Sequence, residues 1–265
     1  MSSTVRFAGP IPELYDRHLG PVLFEPYARD LAARIPPATR RLLEIAAGTG
    51  RVTRHLLAAL PAESELVATD LNPPMLDEAR RRLTDPRLRW QPADAQALPF
   101  DDGAFDVVAC QFGLMFVPDK PLALREMRRV VRRGGLLLLS TWDDLARNTA
   151  SAMLHDLALA ELPSDPPTFM RAPFSMPDPI ALQALVEAAG FATVQVETVE
   201  HVGVATSAAD LAIGLVRGNP LWNQLVERGI DADRFEVRVA EALRETFGDA
   251  PCRSPLSAHV VIATA

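Results

Sequence analysis

The feature that most constrains this chain is an alternation of short apolar runs with helical patterns through its first half. The runs are Arg41 to Ala47 (RLLEIAA), Glu65 to Asp70 (ELVATD), Leu88 to Asp94 (LRWQPAD, the weakest), Ala104 to Gln111 (AFDVVACQ) and Gly135 to Trp142 (GLLLLSTW). Each has strand length. Between them the spacing predicts helices. The first opens at Arg51 and runs to Leu60. The second starts at Asn72, an N-cap residue, with Pro73 at the first helical position and a stripe of Leu76, Ala79 and Leu83. The third runs from Pro121 to Val131, with Ala123, Met127 and Val130 inward, and stops at Gly134-Gly135. Buried runs alternating with helices require a parallel sheet covered on both faces. The fold class expected is therefore α/β: a three-layer, Rossmann-like, seven-stranded, mostly parallel sheet with helices on both faces and a helical cap.

The cap comes from what this core leaves over. Residues 1–38 read as helical, with Tyr27, Leu31 and Ile35 at i, i+4 and i+8. Residues 148–177 begin as a helix and turn proline-rich. Ile180 to Ala189 is a helix closed by Gly190, and Thr193 to Val204 alternates as a strand. Ser207 to Gly248 reads as two or three helices, and Leu256 to Ala265 as a last strand. The stripe Phe235, Val239, Leu243 and Phe247 has helical spacing and reads as core or as a contact in a homodimer.

A chain of 265 residues with 48% hydrophobic content can bury one sizeable core. Its net charge of -7 argues against a nucleic-acid partner, which needs a basic face. Lys120 is the only lysine, which argues against Schiff-base chemistry. Cys110 and Cys252 make neither a disulfide framework nor a zinc site, and the five histidines show no ligand spacing, so no metal is expected. No apolar leader or membrane-length run is present in the sequence, and a cytoplasmic location without membrane contact is the expectation.

The segment Glu44-Ile45-Ala46-Ala47-Gly48-Thr49-Gly50 closes the first run. Ligands of open α/β sheets bind beyond the carboxyl ends of the strands, and small residues let the backbone approach them closely. The helix opening at Arg51 offers free N–H groups to an anion. Asp70, 20 positions after Gly50, closes the second run, where a carboxylate accepts both hydroxyls of a ribose. These two elements indicate an adenosine and suit a dinucleotide equally. A third, Asp94-Ala95, adds an acceptor for an adenine amino group and a backbone N–H for a ring nitrogen. The dinucleotide fingerprint's third glycine is missing, with Thr53 in its place, which speaks against NAD.

The pieces EIAAGTG, the helix start Asp70-Leu-Asn-Pro-Pro-Met-Leu, DAQALPFDDGAFD, CQFGLMFVPD and VVRRGGLLLLS occur in this order. As a set, over roughly residues 40 to 142, they resemble the class I S-adenosylmethionine-dependent methyltransferases of the type 11 group, which includes ubiquinone/menaquinone-biosynthesis enzymes. The resemblance implies methyl transfer from S-adenosyl-L-methionine to a small organic molecule by in-line displacement. It implies cofactor binding by Glu44, Ala46, Gly48, Thr49, Gly50, Asp70, Leu71, Met75, Asp94, Ala95 and Gln111. Gly48 and its neighbours would cradle the methionine part, Asp70 the ribose, and Leu71 and Met75 the adenine face. Asp94 and Ala95 would read the adenine edge, and Gln111 would lie near the methionine amino group. Many members have glycine where Ala46 stands. The corresponding division is an N-terminal helical cap, 1–38; an S-adenosylmethionine-binding core, 39–145; and 146–265, holding a cap segment, the remaining helices and the last two strands. Two other readings stand beside this one: an NAD(P)-dependent oxidoreductase, and a methyltransferase acting on a protein.

Methyl transfer from a sulfonium yields a neutral leaving group, so alignment and exclusion of water can carry much of the catalysis. A base is needed only if the acceptor must lose a proton. His18 and His155 are the candidates, because both fall in cap segments. Tyr15, Phe24, Tyr27, Met115, Phe116 and Phe169 are candidates for lining an apolar acceptor pocket. Two short matches are set aside. Asn72-Pro73-Pro74 resembles a nucleic-acid methyltransferase motif that belongs after the fourth strand, and Pro251-Cys252 a cytosine-methylating nucleophile that belongs elsewhere in the chain.

Overall fold

The computed structural model describes residues 11–265. Seven strands form one open sheet in the order β3-β2-β1-β4-β5-β7-β6. They are β1 (Arg41–Ile45), β2 (Glu65–Asp70), β3 (Leu88–Pro92), β4 (Phe105–Gln111), β5 (Val131–Trp142), β6 (Thr193–Ala205) and β7 (Cys252–Thr264). The first five are mutually parallel, and β7 runs antiparallel between β5 and β6. The helices are α1 (Ile11–Leu14), α2 (Glu25–Ala33), α3 (Arg51–Ala59), α4 (Pro73–Arg82), α5 (Lys120–Val130), α6 (Thr149–Glu161), α7 (Pro179–Ala188), α8 (Ala208–Arg217), α9 (Leu221–Glu227) and α10 (Ala232–Phe247).

The central strands read as unbroken apolar runs because both faces are buried. Leu42, Leu66, Val107 and Leu138 point to one side and share a core with Leu31 of α2 and Leu56 of α3. Leu43, Val67, Val108 and Leu137 point to the other and meet Met127 of α5 and Val186 of α7. That is the layered arrangement the alternation requires.

A third apolar core sits over the carboxyl ends of β4 and β5. It joins Leu19 and Tyr27 from the N-terminal segment, Leu154 of α6, Leu211 of α8, Leu225 of α9 and Phe235 of α10 to Phe112 and Trp142. Within that segment Tyr15–Phe24 is π-helical and contains Pro21. Proline cannot donate the i→i−4 bond and its ring crowds the carbonyl four residues back, which the wider turn relieves. Residues 1–10 of the expected N-terminal cap lie outside the described residues.

Several expectations need correction. Asn72 does not cap α4 through its side chain; its Nδ2 instead donates to Asp70 Oδ1 at 3.2 Å. The third helix ends at Val130, with β5 beginning at Val131, so Gly134 (φ 71°) lies in the strand rather than at the helix stop. The last strand starts at Cys252, because its pairing with β6 extends to Ala205. The stripe on α10 is core: Phe235, Val239 and Leu243 are buried, and Phe247 packs on the same cluster. No helix among the described residues is long and apolar enough to cross a membrane.

Candidate active site

The order β3-β2-β1-β4-β5 reverses direction between β1 and β4, and the crevice at such a reversal binds ligands. A cleft opens there. Every strand from β1 to β4 delivers residues to it from its carboxyl end: Ala46 and Gly48 after β1, Asp70 and Leu71 at the end of β2, Asp94 and Ala95 after β3, Gln111 and Phe112 at the end of β4. Met75 of α4 closes one side.

The loop after β1 is held by Asp70. Its Oδ2 accepts from the Gly48 N–H at 2.9 Å, and its Oδ1 from the Asn72 N–H at 2.7 Å. Burial raises the Asp70 pKa, and the N–H groups of Asn72 and Gly48 oppose that shift by favouring the charged form. Asp94 makes a tight turn, accepting the Gln96 N–H at 2.9 Å. Gln111 donates from Nε2 to the Phe24 carbonyl at 3.2 Å, while its buried Oε1 has no partner among the described residues. An unpaired buried acceptor is costly, and a ligand ammonium is one group that satisfies it.

Two non-glycine residues in the cleft wall carry left-handed backbone, Ala46 (φ 56°) and Phe112 (φ 54°). They are joined through Gly113, where a Cβ would fall 2.4 Å from the Ala46 Cβ and 2.9 Å from Cys110 Sγ. Only glycine lets the loop after β4 press against the loop after β1.

Three of the predicted cofactor residues lie outside the cleft lining. Glu44 is buried beneath the loop, its Oε2 unpartnered, and burial, with the charge of Asp70 adding, pushes its carboxyl up to about 8. Thr49 turns away and donates from Oγ1 to Asp16 Oδ1 at 2.8 Å. Gly50 caps α3 at φ 82°, and a Cβ there would meet Trp90 at 3.0 Å and Ala79 at 3.3 Å, so its smallness serves helix packing. The other eight, Ala46, Gly48, Asp70, Leu71, Met75, Asp94, Ala95 and Gln111, all line the cleft.

A second cavity lies against the first. Tyr15, Phe24, Phe116 and Phe169 line it, together with Leu19, Leu154 and Trp142. Tyr27 and Met115 do not. The Tyr27 ring is fully buried, with its hydroxyl donating to the Val199 carbonyl at 3.1 Å, and Met115 Sδ accepts the Trp142 N–H at 3.3 Å. The cavity's amides are used structurally: Asn148 Nδ2 donates to the Ser257 carbonyl at 3.0 Å and Asn219 Nδ2 to the Leu215 carbonyl at 2.7 Å. Tyr15, Phe112 and Phe116 line both cavities.

The candidate bases are elsewhere. His18 is buried with Nδ1 2.8 Å from Asp210 Oδ1 of α8, and neither it nor His155 lines a cavity. Cys252 is buried at the start of β7, also outside both. Cys110 lines the cleft, and burial pushes its thiol up to about 12, so it stays protonated at neutral pH. Among the described residues no group of three His, Cys, Asp or Glu side chains could hold a metal ion.

Residues 43–139 match the methyltransferase-domain family model. The chain is 34% identical over 167 residues to a ubiquinone/menaquinone biosynthesis C-methyltransferase of Teredinibacter turnerae, covering 67% of that protein and 57% of its own length. This chain is a class I, type 11 methyltransferase-family member. A second such C-methyltransferase, from Idiomarina loihiensis, is 35% identical over 165 residues, and there the aligned part spans 66% of the relative. The methyltransferase fold extends further. A phosphoethanolamine N-methyltransferase of Haemonchus contortus, solved with phosphomonomethylethanolamine and S-adenosylhomocysteine, superposes with a TM-score of 0.60 over 96% of this chain and 57% of its own, at 13% identity.

Sequence reasoning missed two parts of the candidate site. Phe112 lies directly after Gln111 in the quoted motif, but its stacking on Trp142 (ring centroids 3.9 Å apart, 5° between planes) depends on β4 and β5 being neighbours. Asp16 was also missed. It is buried, takes the Thr49 hydroxyl and Arg51 Nη2 at 2.9 Å, and pairs with Arg82, tying the π-helical segment to the loop after β1. No local pattern marks it.

Proposed function

We propose that this protein transfers a methyl group from S-adenosylmethionine to a largely apolar small molecule. The observation that carries the reading is the pair of adjoining cavities, one carrying Asp70, Asp94 and Gln111 at the ends of β1 to β4 and one almost wholly apolar under the cap, which meet at Tyr15, Phe112 and Phe116. A donor and an acceptor held in adjacent chambers react as though intramolecular.

The residues present fit the cofactor. Asp70 would accept the ribose hydroxyls, and Leu71 and Met75 would pack on the adenine. Asp94 and the Ala95 N–H would read its edge. Gln111 Oε1, buried and without a partner, suits the methionine ammonium. The cofactor, once bound, supplies a methyl group on a positively charged sulfur. The chain's own residues orient it, and the cap residues Leu19, Phe24 and Phe169 keep water from the junction. Tyr15 is the titratable side chain of the apolar cavity, and burial, with Asp70 and Asp16 adding, keeps its phenol protonated. The protein's contribution on this side is therefore alignment and desolvation rather than proton abstraction.

Isothermal titration with S-adenosylmethionine, S-adenosylhomocysteine and NAD tests the cofactor. The first two should bind and NAD should not; NAD binding without a response to S-adenosylhomocysteine refutes the reading. The acceptor is tested by incubating a cell extract with methyl-labelled cofactor. Label should enter the solvent-extractable small-molecule fraction, and label confined to protein would overturn the apolar small-molecule acceptor.

A further inference from the structure

We propose that Phe112, with Tyr15 and Phe116, forms an aromatic collar that favours the positive charge on the cofactor's sulfur, giving S-adenosylmethionine affinity that neutral S-adenosylhomocysteine does not receive. The proposal rests on the reading of the cleft at the ends of β1 to β4 as the cofactor site. If a methyl group passes from the cleft to the apolar cavity, it crosses where the two meet, and the residues shared by both are these three aromatics.

The charge has no ionic partner on the far side. Among the described residues the apolar cavity is lined by no Asp, Glu, Lys, Arg or His. A cation facing it, stripped of water, would otherwise lose its hydration without replacement. Aromatic faces carry negative potential and attract a desolvated cation.

Phe112 is held at this junction against its backbone preference. Its φ of 54° is one that glycine or asparagine adopts more readily. The position is fixed by the N–H bond to the Ser140 carbonyl at 2.9 Å and by stacking on Trp142. The Tyr27 ring meets it edge-on at 5.3 Å and 88°. The absent Cβ at Gly113 lets the whole turn approach Ala46. Strained non-glycine backbone kept in place by surrounding packing concentrates at functional sites. Here the strain presents a ring at the place where the two cavities join.

The test compares two ligands that differ in charge at one sulfur. Titration calorimetry measures both with the parent protein, Phe112→Leu, Phe112→Tyr and Phe116→Leu. The preference for S-adenosylmethionine over S-adenosylhomocysteine should fall about 2- to 30-fold in Phe112→Leu, the span of a cation–π contact, and should be retained in Phe112→Tyr. Phe116 is less buried than Phe112, so Phe116→Leu carries the same comparison if Phe112→Leu does not fold. Equal loss of affinity for both ligands in the leucine variants would make the rings packing residues and overturn the collar. Failure of the parent to bind either ligand would instead overturn the cofactor reading beneath it.

Discussion

Replacing Glu44 with glutamine should abolish a pH dependence of stability. Glu44 is 2% exposed at the end of β1, with one carboxyl oxygen unpartnered. Burial, with the Asp70 charge adding, raises its pKa from 4.5 to about 8. A carboxyl raised in the folded state holds its proton there while the unfolded chain releases it. Its folded form is therefore favoured fully below pH 4.5, and that advantage is lost as pH rises towards 8. The gap of roughly 3.5 pH units, at about 1.36 kcal/mol per unit, corresponds to about 5 kcal/mol across the full range. Between pH 5 and pH 7.5 the parent should lose about 3 kcal/mol from this group. Glutamine has nearly the same shape and no titration, so Glu44→Gln should lack that component. Urea unfolding of both proteins at the two pH values measures it, with other groups cancelling in the comparison. If parent and variant lose stability in parallel, the Glu44 carboxyl is not held protonated and the account of the buried floor of the loop is wrong.

Two further predictions concern the site. Asp70→Ala should weaken S-adenosylhomocysteine binding by roughly 1.5–3 kcal/mol, the range for hydrogen bonds to a charged group, read by titration calorimetry. It should also loosen the loop after β1, since the Gly48 N–H loses its acceptor; unchanged affinity would remove Asp70 as the ribose acceptor. Asp16→Asn should release the segment Tyr15–Phe24 from the loop, because Arg51 and Arg82 lose their shared carboxylate. Loss of about 1.5–3 kcal/mol of charge-assisted bonding corresponds to amide exchange faster by roughly 10- to 160-fold in that segment. Unchanged exchange there would show that Asp16 does not fasten the cap.

The sheet and the loops at its carboxyl edge were legible in the sequence because their signals are local. A strand buried on both faces must be apolar throughout, and Leu42-Leu43 and Val107-Val108 state this without reference to any neighbour. Turns that need left-handed backbone announce themselves as glycine, as at Gly48 and Gly50 (φ 56° and 82°). Asp70 and Asp94 sit at strand ends, so the order of elements alone directs them to the sheet's binding edge.

What the sequence left open is what depends on segments far apart in the chain. His18 and Thr49 looked like site residues, yet each is spent on a carboxylate from another segment, Asp210 and Asp16. Tyr27 and Phe24 are three positions apart and equally aromatic; only packing buries one in the core and turns the other to the cavity. The chain by itself determined the parallel core and the carboxylates that line its crevice, because strand burial and turn chemistry are decided within a few residues. Which aromatics became walls of the apolar cavity was decided by the tertiary structure. A cavity is the space left between elements distant in sequence, and no single stretch of chain encodes its shape.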